Sequence, residues 1–166
     1  MSDVFQFKGI KPKKLKVDQF RLKILNALRA EGRDVTKEYE KTTASWRKKP
    51  KFETMVGLGR PPGGASVFVG TDDEIYGYVD KGTRPHVIRP RRARFLRFQT
   101  GYKAKTRPRH IGSGPGGASG PVRFAKVVHH PGTQPREFSE TIRQRRRQKF
   151  TRRMVKAMQA GAKKAY

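Results

Sequence analysis

The sequence predicts a single α+β domain, in which a small, mainly antiparallel β-sheet packs against a long N-terminal helix and a C-terminal helix. Near both ends of the chain, apolar residues recur at three- and four-residue steps, which is the spacing of one helix face. The middle instead has short β-branched and aromatic runs separated by glycine and proline, which is typical of strands joined by turns. The length of 166 residues fits one ordinary domain.

The first sixteen residues predict an extended arm. The segment is rich in lysine, and Pro12 opposes an early helix because proline lacks a backbone N–H and clashes with the preceding turn. We interpret residues 1–16 as an extended basic N-terminal arm. Four apolar side chains indicate that this arm docks on another surface: Val4, Phe5, Phe7 and Ile10.

A long helix is predicted after the arm. Its apolar stripe begins with Val17, Phe20, Ile24 and Leu28, and Val35, Tyr39 and Trp46 roughly continue it. Gly32 weakens the middle by ~1 kcal/mol relative to alanine. Residues 17–46 are therefore expected to form one long helix, or two helices joined near Gly32, ending before Pro50.

Short strands are predicted for the middle of the chain. The candidates are residues 52–58, 66–69, 86–88, 95–98 and 122–129, while residues 74–80 fit either a short helix or a strand. A Gly-Pro-rich break at 59–64 separates the first two strands. Residues 99–121 predict a long, flexible basic loop. Such a loop is longer than most structureless connections and is therefore functional or mobile.

A second long helix is predicted for residues 136–160. Its apolar residues stand at multiples of four, and the stripe is oblique because each such step drifts by ~40° around the helix. These residues are Phe138, Ile142, Phe150, Met154 and Met158. Residues 17–160 thus form one domain, followed by a short C-terminal tail at 161–166.

Net charge is the strongest compositional signal. Lys and Arg number 40 and Asp and Glu number 13, which gives +27 at pH 7. Self-repulsion of this size destabilises a compact monomer, so an anionic partner is expected to neutralise part of it. The charge is spread along the chain. This fits a subunit embedded in a larger assembly, and it also fits nucleic-acid binding.

Several function classes lack the residues that they need. The chain has no cysteine, which excludes disulfides, thiol catalysis and cysteine-based zinc sites. The four histidines lack metal-ligand spacing, so no metal or other cofactor is expected. His86 and His130 are instead expected to hydrogen-bond the turns that they flank. No catalytic triad or phosphate-binding loop motif is present, so no enzyme is expected. No apolar run approaches the ~20 residues of a membrane span, so no membrane partner is expected either.

Two Gly-Thr motifs are the most specific feature of the sequence. The first is Asp80-Lys81-Gly82-Thr83, followed by His86 and Pro90, and the second is His130-Pro131-Gly132-Thr133, followed by Phe138. Each predicts a turn where a strand starts or stops, because glycine adopts positive φ at little cost and threonine hydrogen-bonds neighbouring backbone. Neither motif is an active site. A coincidental pair of turns is the alternative interpretation.

Taken in order, these segments resemble a family of small virion proteins of long-tailed bacteriophages, the tail-completion or head–tail joining (neck, minor tail component) proteins. The match covers about residues 17–160 and further includes Tyr78, Ile88, Leu96, Phe98, Val127, Val128 and Pro135. The high arginine content, the loop at 99–121 and the extended basic C-terminus depart from the family pattern. These departures leave open which ring of the neck the protein would form.

The resemblance implies a non-enzymatic structural protein of the virion, located at the head–tail junction after assembly in the host cytoplasm. It implies a homo-oligomeric ring, commonly hexameric, that joins tail to head and surrounds the DNA channel. The implied partners are further copies of the chain, neighbouring neck or connector proteins, and tail-tube or terminator proteins. Genomic DNA in the channel is a further candidate partner.

Three basic segments are candidate contacts for DNA or for an acidic partner. Arginine suits this role because its planar guanidinium pairs with phosphate oxygens. Solvated strand edges and helix faces are the alternative. The candidates are Arg91, Arg92, Arg94, Arg97, Lys103, Lys105, Arg107, Arg109, Arg143, Arg146 and Arg147.

The rival hypothesis is a ribosomal-type basic RNA- or DNA-binding protein with no role in a virion. Such a protein is expected to bind RNA tightly with steep salt dependence. A neck protein is instead expected to co-purify with viral particles and to form rings. A toxin or nuclease is a third and weaker option, because no catalytic constellation is present.

Overall fold

A computed structural model describes residues 17–59 and 64–165 of the chain. The predicted N-terminal arm lies outside these residues, as does most of the Gly-Pro-rich break. Among the described residues, no helix has the length and apolar character needed to cross a membrane.

Three helices and eight short strands follow one another along the residues that the structure describes, which confirms the α+β class. The helices are α1 (Val17–Thr42), α2 (Glu74–Lys81) and α3 (Phe138–Ala165). The strands are β1 (Glu53–Leu58), β2 (Ala65–Gly70), β3 (His86–Ile88), β4 (Leu96–Gln99), β5 (Tyr102–Lys103), β6 (Gly117–Ala118), β7 (Val122–Ala125) and β8 (Val128–His130).

Helices α1 and α3 pack against each other in antiparallel orientation. Phe20, near the start of α1, lies against Gly161 near the end of α3, and Tyr39 joins the cluster at the start of α3. Because α3 runs through residue 165, the predicted helix end at 160 and the separate tail at 161–166 were wrong. Gly161 is buried, and a Cβ there would lie 2.7 Å from a ring carbon of Phe20. Close packing therefore extends the helix beyond its predicted end.

Helix α1 is continuous across Gly32, so the first of the two predicted alternatives is confirmed. The β1–β2 hairpin crosses the helix at this position. A Cβ on Gly32 would lie only 2.5 Å from Cγ2 of Thr54 and 3.6 Å from Cγ1 of Val67. The packing of the hairpin thus outweighs the helix penalty of glycine.

The core is small and largely aromatic. Tyr39, Tyr76, Phe138 and Ile142 form its buried cluster, and the Phe52 ring stands edge-on to Tyr76 at a centroid distance of 5.0 Å. Tyr76 comes from α2, whose first turn is capped by the Asp73 carboxylate accepting from the Tyr76 N–H at 2.9 Å. Helix is thus the correct alternative for residues 74–80, and α2 links both long helices to one core.

Within the described ranges, the strands form four separate two-stranded antiparallel ladders, so the prediction of one small sheet was wrong in this respect. The first ladder is the β1–β2 hairpin on α1. The other three, β3–β8, β4–β7 and β5–β6, lie along one long hairpin. We call residues 83–133, which contain these three ladders, the basic ribbon.

A register break divides the basic ribbon and splits the predicted 122–129 strand into β7 and β8. Ile88 pairs with Val128 and Leu96 pairs with Ala125, so residues 89–95 oppose only residues 126 and 127. Pro90 stands in this excess segment. Because proline has no N–H for a ladder, it favours a bulge over a continuous strand.

The segment predicted as a structureless loop, residues 99–121, is folded against the helical body. It contains the β5–β6 ladder. Beyond this ladder, the Lys105 Nζ donates to the Ser45 carbonyl at 3.0 Å and the Ser45 N–H donates to Ser113 Oγ at 2.9 Å. The Arg109 N–H also donates to the Arg136 carbonyl at 2.8 Å. The turn of the ribbon therefore returns to its own base, which a local pattern of Gly and Pro cannot reveal.

Candidate functional site

The two Gly-Thr motifs face each other and form the base of the basic ribbon. The Thr83 N–H donates to the Thr133 carbonyl at 3.0 Å, and the Thr133 N–H donates to the Thr83 carbonyl at 3.1 Å. Thr83 Oγ1 also accepts from the Thr133 N–H at 3.0 Å, across fifty residues of sequence. The sequence predicted two independent turns, whereas the structure unites them in one antiparallel bridge.

Both glycines are required by this pairing. Gly82 has φ of 76° and Gly132 has φ of 89°, a region that L-residues with a Cβ disfavour. A Cβ on Gly82 would lie 2.5 Å from the Thr133 carbonyl oxygen, and a Cβ on Gly132 would meet the Thr83 carbonyl oxygen. Each glycine therefore makes room for the threonine of the other motif.

His86 and His130 extend the same pairing by three residues. They are opposite each other in the β3–β8 ladder, and their rings stack at 4.9 Å with an interplanar angle of 25°. His86 Nδ1 lies 2.9 Å from the Arg84 carbonyl oxygen, so it is the donor there. His130 Nδ1 accepts from the Gly132 N–H at 3.0 Å. The prediction that both histidines hydrogen-bond the turns that they flank is confirmed.

Asp80 connects the first motif to the start of α3. Its carboxylate accepts from the Ser139 N–H at 3.2 Å and from the Ser139 hydroxyl at 2.6 Å. Its carbonyl accepts from the N–H groups of Arg136 and Glu137. A carboxylate at a helix N-terminus satisfies free N–H groups and interacts favourably with the helix dipole. Phe138, the first residue of α3, is fully buried in the core.

The basic ribbon has no acidic residue. Between Asp80 and Glu137 the sequence contains neither Asp nor Glu. The ribbon's basic residues are Arg84, Arg89, Arg91, Arg92, Arg94, Arg97, Lys103, Lys105, Arg107, Arg109, Arg123 and Lys126. Because the two sides of the ribbon pair with each other, the charged side chains of the folded ribbon are all positive.

The predicted contact residues on the ribbon lie at separate places. Arg91, Arg92 and Arg94 are exposed in the register break, where the Arg94 guanidinium lies 5.7 Å from the Phe95 ring centroid. Arg97 is on β4 opposite Phe124, which is 65% exposed. Lys103 is on β5, and Lys105, Arg107 and Arg109 are in the turn. Arginines thus lie beside exposed aromatic rings at the register break and in the β4–β7 ladder.

Three of the predicted contact residues have carboxylate partners within the chain. Arg109 pairs with Glu137 at 2.6 Å, and Arg143 pairs with Glu140 at 2.6 Å, both on the surface. The hydrogen bond from Arg143 lowers the pKa of Glu140 to about 2. Arg147, also on α3, is exposed.

Arg146 is the third, and its predicted role as a partner contact does not fit its position. Its side chain is only 11% exposed and lies between the helices, 2.8 Å from Glu31 Oε1. Asp34 and Glu38 pair with the same guanidinium at 3.2 and 3.4 Å. The hydrogen bond with Glu31 is the main cause that raises the pKa of Arg146. Its three carboxylate partners all come from α1, so the charge run on α3 does not reveal them.

Arg153 completes this group, which we call the interhelical ion cluster: Glu31, Asp34, Glu38, Arg146 and Arg153. Arg153 pairs with Glu31 and with Asp34, each at 2.7 Å. Its hydrogen bond is the main cause that lowers the pKa of Asp34. The cluster joins α1 to α3 through five ion pairs, so its three carboxylates are paired within the helical body.

Within the described ranges, no three His, Asp or Glu side chains are grouped as a metal site would require. No protein-family model, curated protein or solved structure matches the chain.

Proposed function

We propose that this protein is a non-enzymatic structural subunit of a phage virion, which forms a ring at the head–tail junction. In this proposal the ring joins tail to head and surrounds the DNA channel. The observation that most supports this proposal is the reciprocal pairing of Thr83 with Thr133. It supports the proposal because it gives the two motifs of the resemblance one shared structural purpose, the closure of the ribbon at its base.

Exposed apolar surface supports a role as a subunit rather than as a free monomer. Met55 and Phe68 are opposite each other on the β1–β2 hairpin and are 69% and 65% exposed. Phe98, Tyr102 and Phe124 on the ribbon are exposed as well. Large apolar side chains that lie together on a surface mark interaction sites.

Charge limits the neighbours that such a ring can have. In a ring, the +27 charge is multiplied by the number of copies. Self-repulsion would oppose assembly unless acidic surfaces or DNA lie against the basic ribbon. We therefore propose as partners other copies of the chain, commonly six per ring in the family it resembles, acidic faces of connector and tail proteins, and DNA in the channel.

The acid-free ribbon also favours a second candidate function, a ribosomal-type RNA- or DNA-binding protein. Particle purification separates the two. A neck protein is expected to sediment with intact virions or tails of its source and to appear as rings by negative-stain microscopy. A ribosomal-type protein is expected to sediment with ribosomes and to bind RNA as a monomer with steep salt dependence.

A further inference from the structure

A second feature at the base of the ribbon is a pocket of about 360 Å³. Residues after α1, on α2, in the ribbon turn and just before α3 line it. We propose that this pocket binds one nucleotide unit of a nucleic-acid strand, with the phosphate on its cations and the base on its aromatic rings. The pocket lies within one chain, so the inference does not depend on a ring.

Four cations line the pocket, and no Asp or Glu among the described residues does so. Arg47 and Lys48 are exposed on the rim, and Arg136 and Lys105 come from the other side. The Lys105 Nζ is held by the Ser45 carbonyl at 3.0 Å, which fixes its ammonium beside the end of α1. Converging positive charge without a carboxylate selects an anion.

Arg136 lines the pocket and has one side-chain nitrogen without a partner among the described residues. Its backbone N–H and carbonyl are occupied, by Val79, Asp80 and Arg109. Its side-chain Nε, however, is buried and has no hydrogen-bond partner among the described residues. A buried, unpaired donor is costly, so such groups normally have a partner. A phosphate oxygen would supply that partner only if the side chains that cover Nε moved aside, so the four cations that line the pocket carry the proposal.

The aromatic walls favour a nucleotide over an acidic side chain. Trp46 and Tyr102 line the same pocket as the cations, and Tyr102 is 71% exposed. Proteins that bind single strands combine a positive groove with exposed aromatic rings on which bases stack. The pocket volume is within the usual range for small-ligand sites. An acidic peptide would use the cations but would leave the rings without a stacking partner.

The test measures fluorescence anisotropy of a labelled single-stranded DNA of about twelve nucleotides, with the full chain and with two charge-matched variants. The pocket variant is Arg47→Gln/Lys48→Gln. The control is Arg29→Gln/Lys37→Gln, which removes the same charges from exposed positions of α1. At about 50 mM salt the pocket variant is expected to bind about tenfold more weakly, with a salt slope shallower by about 1 to 2. The control should lose less than about threefold.

A third variant, Tyr102→Leu, tests the stacking. It keeps the charge and is expected to weaken binding of the single strand by about tenfold, with little change for a duplex of the same length. Equal losses for the pocket and control variants would overturn the proposal, since binding would then depend on total charge alone. Wild-type-like binding by Tyr102→Leu would overturn the nucleotide assignment.

Two competitors separate the other sources of negative charge. Inorganic phosphate should displace the DNA no better than sodium chloride of equal ionic strength. Full displacement would assign the pocket to free phosphate instead. Polyglutamate of matched charge should bind the full chain and the pocket variant equally. A loss in the pocket variant as large as that for DNA would assign the pocket to an acidic protein. Thermal melting of each variant confirms that it is folded.

Discussion

Thr83 and Thr133 exchange both backbone hydrogen bonds, at 3.0 and 3.1 Å, and so close the basic ribbon at its base. The two residues belong to motifs that the sequence separates by fifty positions. Their bridge brings Gly82 against Thr133 and Gly132 against Thr83, and the pairing continues to the stacked rings of His86 and His130. This contact region thus closes the base of the ribbon, while Lys105, Arg109 and Ser113 hold the turn of the ribbon against the helical body.

Replacing either glycine of the bridge is expected to destabilise the fold. Gly132→Ala forces a Cβ against the Thr83 carbonyl and onto a positive φ, so we expect the free energy of unfolding to fall by about 2–4 kcal/mol. Gly82→Ala should behave alike. Urea unfolding measures both. The control is Gly77→Ala in α2, where a Cβ meets no atom within 4 Å. Its unfolding free energy should stay the same or rise, by up to about 1 kcal/mol.

Because Asp80 caps α3, the loss of stability should depend on which residue replaces it. Asp80→Ala removes both acceptors from Ser139 and the negative charge at the helix N-terminus, so we expect a loss of about 1–2 kcal/mol. Asp80→Asn keeps an acceptor oxygen and should lose less. Chemical unfolding of the two variants provides the comparison. Equal stability of Asp80→Ala and the wild type would show that the cap contributes nothing.

The interhelical ion cluster and a surface ion pair on the same helix should respond differently. Arg146→Ala removes one of the two arginines that pair with Glu31, which is 1% exposed, and also the cation that pairs with Glu38, so we expect a loss of about 3–5 kcal/mol. Arg143→Ala breaks the exposed pair with Glu140, and its unfolding free energy should stay near the wild-type value. Urea unfolding at one pH compares them. Similar losses in both variants would contradict the assigned burial of Arg146.

Acid sensitivity should depend in part on Asp34. The hydrogen bond from Arg153 lowers the pKa of Asp34 below its ordinary value of 3.8. A carboxylate with a lowered folded-state pKa contributes stability above the unfolded value, and this contribution is lost as the pH falls through the folded value. Unfolding free energy should therefore decrease as the pH falls below 3.8, and less steeply in Asp34→Asn. Parallel curves for the two proteins would contradict this prediction.

Apolar surface on the β1–β2 hairpin should serve assembly rather than folding. Met55→Ser/Phe68→Ser removes the exposed pair, so the thermal midpoint should change little while ring formation is lost. Light scattering after size-exclusion chromatography measures the assembly. Ile75→Ser, at a 60% exposed position on α2, is the control and should assemble normally. Normal rings in the double variant would remove this hairpin from the interface.

Local patterns predicted much of the fold because they report which face of an element is buried. The helical stripe beginning at Val17 and the β-rich runs at 52–58 and 66–69 belong to elements that the structure contains. The hydrogen bonds of His86 and His130 to their turns were also predicted, because the turn residues stand next to the histidines in sequence. Such signals come from residues near one another in sequence and need no knowledge of tertiary contacts.

The features that local patterns did not predict depend on contacts between residues that are distant in sequence. In the sequence Gly32 only weakens a helix, whereas in the structure the β1–β2 hairpin packs on it. Arg146 likewise stands in a run of basic residues, and its contact with Glu31 is seen only in the fold. Residues 89–95 lie opposite only residues 126 and 127, and this mismatch in length is visible only once the two segments are paired. The pairing of the Gly-Thr motifs did leave a signal. His86 follows Gly82-Thr83 and His130 precedes Gly132-Thr133, the mirrored order of an antiparallel pair.

The most direct test of the proposed function is the location of the protein in purified particles from its source. Antibody-gold labelling followed by negative-stain electron microscopy would show it. The proposal predicts label at the head–tail junction of tailed particles, on one ring of density per particle. Particles that carry no label, with the protein recovered in the ribosomal fraction instead, would contradict it.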